Sequence, residues 1–208
     1  MSEMKPVIIY GAGGHGKVVL DALLRSGREI AGFVDDDPQR AGDHHCGYPV
    51  AAAPGDLDSP DAADLVVAIG DAAGRQRATA RVEELGYGLA TAVHPTAVIA
   101  DGVRLAPGAM VMAGAVVNPD VSIGRSTIIN TGAIVDHDCT IGDFAHVGPG
   151  ARLAGGVRVG ARTLVGVGAS AIPGVSIGAD AVVAAGAVVV ADVEDGMKVA
   201  GIPARPIG

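Results

Sequence analysis

Tryptophan is absent from this 208-residue sequence, and aromatic residues make up only 2% of it. Without large rings there is little material for a bulky globular core, and thin stacked layers of aliphatic side chains are the alternative. Cysteine is scarce too: two residues are too few for a disulfide scaffold. No apolar stretch reaches the ~20 residues of a membrane span without Gly, Pro or charge. The polar start, Met1 to Pro6, shows no secretory leader, so a cytoplasmic protein is expected. Basic residues are in the minority, 15 against 23 acidic, giving a net charge of -8 and a pI near 5.1. That balance argues against a nucleic-acid surface, and Arg152, Arg158 and Arg162 read as scattered charges on a solvated face.

Glycine is abundant, at 32 residues, and much of it falls within a six-residue period running from Ala97 to Asp192. Counted in sixes from Ala97, the third place reads Ile99, Leu105, Val111, Val117 and so on to Val183 and Val189, with Ala171 the one small exception. The first place is small or β-branched, as in Ala133, Cys139, Ala145 and Ala151. Gly is common just after the aliphatic, as in Gly124, Gly142, Gly160 and Gly178. A short strand that turns one large and one small side chain inward, then rounds a corner, has this period. Stacked, such strands make a parallel β-solenoid, with three hexads to a triangular coil. About five coils are expected at a strand spacing of ~4.8 Å. Cys139 falls on an inward small place and is expected to be a buried thiol.

The first ninety residues have another style. Val7 to Tyr10 reads as a buried strand, followed by Gly11-Ala12-Gly13-Gly14-His15-Gly16 and a helix through Val18, Val19, Ala22 and Leu23. Such glycines let a backbone come close to a phosphate at a helix start, where free N–H groups and a partial positive charge await it. A second strand, Ile30 to Val34, leads to Asp35-Asp36-Asp37, whose carboxylates can accept hydrogen bonds from a sugar. A strand at Leu65 to Ile69, Gly70-Asp71, a helix over Ala72 to Leu85 and a last strand at Leu89 to Val93 complete a small parallel α/β unit. It is about half of a full dinucleotide fold, which favours a mononucleotide or nucleotide-sugar over NAD. His44-His45-Cys46 reads as a solvated loop rather than a metal site, because no matching ligand pair lies elsewhere. The expected division is 1–93 for a Rossmann-like nucleotide-sugar-binding domain and 94–208 for a solenoid closed by a C-terminal cap.

Polar residues that interrupt the solenoid carry the chemistry. His137, in Asp136-His137-Asp138-Cys139, sits at a corner between two carboxylates, which orient an imidazole and raise its basicity. Gly155 lies eighteen residues on, one coil away, and should stack beside it, with a bare N–H free to bind a developing oxyanion. His146 is half a coil from His137, so within one chain the two face different ways and share a site only if a second solenoid brings one of them. A closed three-fold ring would do this at each interface.

The Gly-Ala-Gly-Gly-His-Gly start, Asp35-Asp36, Asp136-His137-Asp138-Cys139, Phe144-Ala145-His146-Val147 and the Gly-x-Pro-Ala-Arg ending together resemble the bacterial nucleotide-sugar N-acetyltransferases of the bacillosamine and perosamine type. These are close kin of the sialic acid O-acetyltransferases. The resemblance implies a left-handed parallel β-helix and a homotrimer. It implies acetyl transfer from acetyl-CoA to the amino group of a nucleotide-linked amino sugar, with no metal. By it His137 is the general base and Asp138 the carboxylate behind it, where relatives often carry Glu. Gly13, Gly14, His15, Asp35, Asp36 and Gly70 fall where the family holds the nucleotide-sugar. His146, Gly155, Val167 and Ala185 fall where it holds acetyl-CoA, the last two one coil apart in a single column. Three rivals stand beside this reading: O-acetylation of a sugar hydroxyl, a zinc hydratase on the same repeat, and a non-catalytic nucleotide-sugar binder.

Overall fold

The computed structural model describes residues 4–57 and 59–207. In the N-terminal unit, β1 (Val7–Tyr10) is buried along its whole length and α1 (Gly14–Arg25) follows it. Next come β2 (Ile30–Val34), β3 (His44–His45), β4 (Tyr48–Ala51), β5 (Asp64–Val67) and α2 (Ala72–Glu84). The sheet order is β3-β4-β2-β1-β5, parallel except for the β3–β4 pair. β1 lies at the crossover between β2 and β5, and the glycine segment leaves its C-terminal end, the usual ligand end of an open α/β sheet.

Two expectations are corrected. His44-His45-Cys46 is not a loop but one arm and the turn of a hairpin. Cys46 and Gly47 both take positive φ, 51° and 85°, which suits a tight two-residue turn. The hairpin joins the sheet by parallel pairing of β4 with β2, and the His45 ring packs edge-on against Phe33 with centroids 4.9 Å apart. Nor does Leu89 to Val93 form a last strand of the α/β sheet. Leu89 makes a single bridge to Leu65, whereas Ala92–Val93 pairs with Met110–Val111 and so opens the solenoid.

The solenoid has three sheets, of eight, six and five strands among the described residues, parallel throughout except for the last strand of the eight. Sheet I contains Met110–Val111, Ile128–Ile129, His146–Val147 and Leu164–Val165. Sheet II contains Val116–Val117, Ile134–Val135 and Arg152–Leu153, and sheet III contains Ser122–Ile123, Thr140–Ile141 and Arg158–Val159. Each strand pairs with the one eighteen residues on, as Val117 with Val135 and Val135 with Leu153. From Val111 to Val189 every third-place side chain is buried, and Cys139 is buried among them with its thiol donating to the Ala154 carbonyl. Every sixth place from Gly102 to Gly186 has positive φ, because each corner reverses the chain through a left-handed residue. The fourth-place glycines have a different cause: a Cβ on Gly142 would lie 2.7 Å from the Ala161 nitrogen, and one on Gly160 2.3 Å from that of Ala179. At these places successive coils approach more closely than a side chain permits.

At the C-terminus, Lys198–Ala200 extends sheet I and Arg205–Pro206 folds back antiparallel on it, so the tail closes that end. At the other end α1 lies on sheet I, where Val19, Leu20 and Leu23 share one core with Met110, Met112 and Ile128.

Candidate active site

The glycine turn after β1 separates into two kinds of glycine. Gly11 has φ +116°, and a Cβ there would sit 2.9 Å from the Ala68 carbonyl oxygen; a Cβ on Gly16 would sit 2.2 Å from that of Gly11. These two are glycines for conformation and packing. Gly13, Gly14 and Gly70 have no positive φ, and a Cβ on any of them would meet nothing within 4 Å. Bare backbone in open space is what a ligand that touches the main chain requires. Gly13 is also the N-cap of α1 with no side-chain cap, so the N–H groups of the first turn remain available.

Asp35 and Asp36 build the rim of this turn. The Asp35 carboxylate accepts from Ala12 N–H at 2.8 Å and Asp37 N–H at 3.0 Å. Asp36 accepts from the Tyr10 hydroxyl at 2.5 Å and from Arg81 of α2 at 2.9 Å. Both carboxylates therefore hold the loop before they meet any ligand. Burial, followed by the bond to Asp36, raises the Tyr10 hydroxyl well above its usual range and keeps it a donor.

Where α1 starts, the α/β unit meets sheet I. The His15 and His146 rings lie 6.4 Å apart, centroid to centroid. Asn130, one coil before His146, donates from Nδ2 to His146 Nε2 at 2.9 Å; its own Oδ1 accepts from Thr131 N–H at 2.8 Å, which fixes the amide orientation. With Nε2 accepting, the neutral His146 proton sits on Nδ1, and the Gly70 backbone is hydrogen-bonded to the ring. Burial pushes both imidazoles down to about 4, and the Arg75 guanidinium adds to the effect on each. Both are neutral at pH 7. Beside them a groove of about 420 Å3 runs between Gly70, Asp71 and Ala72 on one side and His146, Arg162, Thr163, Leu164 and Val182 on the other. An apolar hollow of about 290 Å3 at the far end, under Val189, Met197 and Ala204, shares no residue with these histidines.

His137 lies on a different edge, the corner between sheets II and III. Its Nδ1 is 2.8 Å from the Asp138 carboxylate, so Nε2 is the nitrogen left for a substrate. The shorter Asp arm thus reaches the ring. The bond to Asp138, with the charge of Asp136 behind it, raises the His137 imidazole above its ordinary value. Asp136 in turn accepts from His137 N–H at 2.8 Å and from Asn118 of the previous coil at 2.7 Å, and these bonds lower its carboxyl. Gly155 stacks on the imidazole as expected: a Cβ there would fall 2.5 Å from His137 Cε1 and 2.6 Å from Nε2. No acceptor takes the Gly155 N–H among the described residues. Val167 and Ala185 occupy the corner between sheets I and II, one coil apart, where Gly186 N–H bonds the Val167 carbonyl at 2.8 Å and Val167 is 58% exposed. Among the described residues no cluster of three or more His, Cys, Asp or Glu side chains is arranged to hold a metal, and no helix is long and apolar enough to cross a membrane.

Within one chain, then, His15, Gly70 and His146 come together, and Gly155 joins His137. The His137 corner and the Val167–Ala185 corner stay apart. The sequence reading missed Asn130 and Arg75. Asn130 had a signal, a polar residue at the fourth place, which is glycine in several hexads such as those of Gly124, Gly142 and Gly148.

Comparison with known proteins follows this division. The PglD N-terminal domain family matches residues 6–82, and the bacterial transferase hexapeptide family matches residues 120–155. No curated protein sequence matches. Among solved structures, a histidine-to-asparagine variant of perosamine N-acetyltransferase from Caulobacter crescentus, in complex with CoA and GDP-perosamine, is 46% identical. It superposes with a TM-score of 0.92, covering 99% of this chain and 98% of its own. The chain belongs to the nucleotide-sugar N-acetyltransferase family. A second member, the acetyltransferase domain of PglB from Neisseria gonorrhoeae in complex with acetyl coenzyme A, is 36% identical over 99% of this chain and 100% of its own, with a TM-score of 0.92. WeeI from Acinetobacter baumannii is 27% identical over 98% and 100%, with a TM-score of 0.89. The solenoid of this N-acetyltransferase family member is the left-handed parallel β-helix of hexapeptide repeats.

Proposed function

We propose that the protein transfers acetyl from acetyl-CoA to the amino group of a nucleotide-linked amino sugar. The observation that carries this reading is His137: an exposed imidazole bonded through Nδ1 to Asp138 and stacked on a glycine with a free N–H. His137 Nε2 takes a proton from the amine as its nitrogen forms a bond to the thioester carbon. The oxyanion is met by the Gly155 N–H, the C–S bond breaks, and the proton passes to the leaving thiolate. No covalent enzyme intermediate is needed.

The relatives support the two ligands, since one holds CoA with GDP-perosamine and another acetyl coenzyme A. The unconstrained glycines Gly13, Gly14 and Gly70, with His15, Asp35 and Asp36 around them, favour residues 1–93 as the nucleotide-sugar side. Residues 94–208 then form the acyl-transfer side. Gly155 lies at one corner of the solenoid, Val167 and Ala185 at another, and His146 on the face of sheet I, so one groove for acetyl-CoA needs two copies. The His137 and Gly155 corner of one copy meets the Val167 and Ala185 corner of the next, in a closed trimer with a site at each interface.

Replacing His137 by Ala is expected to lower kcat by ~10²–10⁴-fold with folding intact. The assay is thiol release from acetyl-CoA across GDP-, UDP- and CMP-linked amino and hydroxy sugars. Mixing H137A and H146A chains should restore part of the activity, because some interfaces regain both imidazoles. An active lone protomer, or near-normal turnover in H137A, would reject the assignment; acetylation of hydroxy sugars alone would move it to the O-acetyl class.

A further inference from the structure

The solenoid-facing side of α2 buries a charge that no carboxylate touches. Arg75 has no exposed surface, and its guanidinium is held by carbonyls alone. Nη1 donates to Ile69 at 2.7 Å and Gly70 at 2.8 Å, Nε to Ser126 at 2.7 Å, and Nη2 to Phe144 at 2.5 Å and Ala145 at 3.3 Å. All five donors of the fork are therefore matched. Two acceptors belong to the turn before α2, and three belong to successive coils at the corner between sheets III and I. There Ser126 and Phe144 both take positive φ, as Arg162 and Asp180 do on the next two coils.

An apolar side chain would join the two units at lower desolvation cost. It would not tie the Gly70 carbonyl to the corner that leads into His146, nor put positive charge behind the two imidazoles. We propose that Arg75 is a positioning residue for acetyl transfer: it locks the Ile69-Gly70 turn to the Phe144-Ala145 corner as one groove wall, and its charge adds to the burial that disfavours protonation of the His15–His146 pair. Neutrality matters first to His146, whose Nε2 must accept from Asn130 while the rest of the ring is held at Gly70; an imidazolium has donors only and would break the first bond. The charged and titratable groups facing the pair are the two rings themselves, Arg75, Asp71 at the start of α2, and Arg162 across the groove, itself held by Asp180 at 2.7 Å. The inference rests on the nucleotide-sugar reading of this groove.

The test follows imidazole NMR signals through a pH titration, with calorimetric binding of GDP- and UDP-linked amino sugars and steady-state kinetics. In the wild type both rings should stay neutral to about pH 5. Arg75→Met should raise their titration measurably while leaving it below the free value, weaken sugar-nucleotide binding more at acidic than at neutral pH, and lower kcat by roughly 10²-fold through the displaced wall. Arg75→Lys keeps the charge but not the fork, so it should restore the titration and the acid-pH binding while recovering only part of kcat. Wild-type rings titrating near 6.5, or Met and Lys variants alike in every readout, overturn the proposal. If the Met variant does not fold, the wild-type titration and the Lys variant decide, and a Lys variant whose rings titrate unlike wild type counts against it. Should the wild type bind nucleotide-sugars but transfer no acetyl, the functional reading fails while the titration still decides the role of the charge.

Discussion

Asp138 is held at a sixth place with φ 60°, in a column where Asp120 precedes it with φ 61° and Gly156 and Gly174 follow on the next two coils. A left-handed residue other than glycine costs about 1 kcal/mol, somewhat less for Asp. If His137 is the base as proposed, it works unprotonated, and the rate should rise with pH through the raised His137 value. Asp138→Asn removes the main cause of that raising. The acid limb of kcat/KM should then move to lower pH while the plateau falls, because the base is weaker. Asp138→Gly should lower kcat as well but gain up to about 1 kcal/mol in denaturant unfolding. An acid limb unmoved in Asp138→Asn would separate the carboxylate from the base.

At the scale of the element, the glycines make opposite predictions according to what surrounds them. Gly160→Ala drives a methyl into the backbone of the next coil and should destabilise the solenoid by about 1–3 kcal/mol. Gly14→Ala meets open space, so Tm should stay near wild type while KM for the nucleotide-sugar rises about tenfold or more. Equal Tm losses in the two would remove the distinction. The solenoid was legible in the sequence because each of its places has one physical demand, so a large aliphatic at the third place is repeated without interference from distant contacts. The His44–Tyr48 hairpin was not, since two polar histidines gave no strand pattern and the Phe33 against which His45 packs is remote in sequence. Arg75 was hidden for a related reason. With Ala78, Thr79 and Val82 it occupies the buried stripe of α2, but only the carbonyls of a corner fifty residues away make burial of a guanidinium acceptable.

For the whole molecule, acid is the expected weakness. His15 and His146 are pushed down to about 4 in the folded protein, against 6.5 for the ordinary group. Between those values the unfolded chain takes up protons that the native one refuses, so this stabilisation is complete above about pH 6.5 and is lost progressively as pH falls towards 4. Calorimetric Tm should drop across that window, and a His15→Gln, His146→Gln double variant should show a shallower decline. A decline of unchanged steepness would place the acid sensitivity elsewhere.

The eighteen-residue register also sets a rule for how such a chain can change length. Removing six residues between the docked coils and His137 would preserve the inward or outward sense of every downstream side chain, and the prism would still close. Yet each later strand would be dealt to the next face, turning His137 a third of a revolution away from its present edge. Foldable lengths come in steps of six, whereas lengths that would keep the proposed intersubunit chamber come in steps of eighteen.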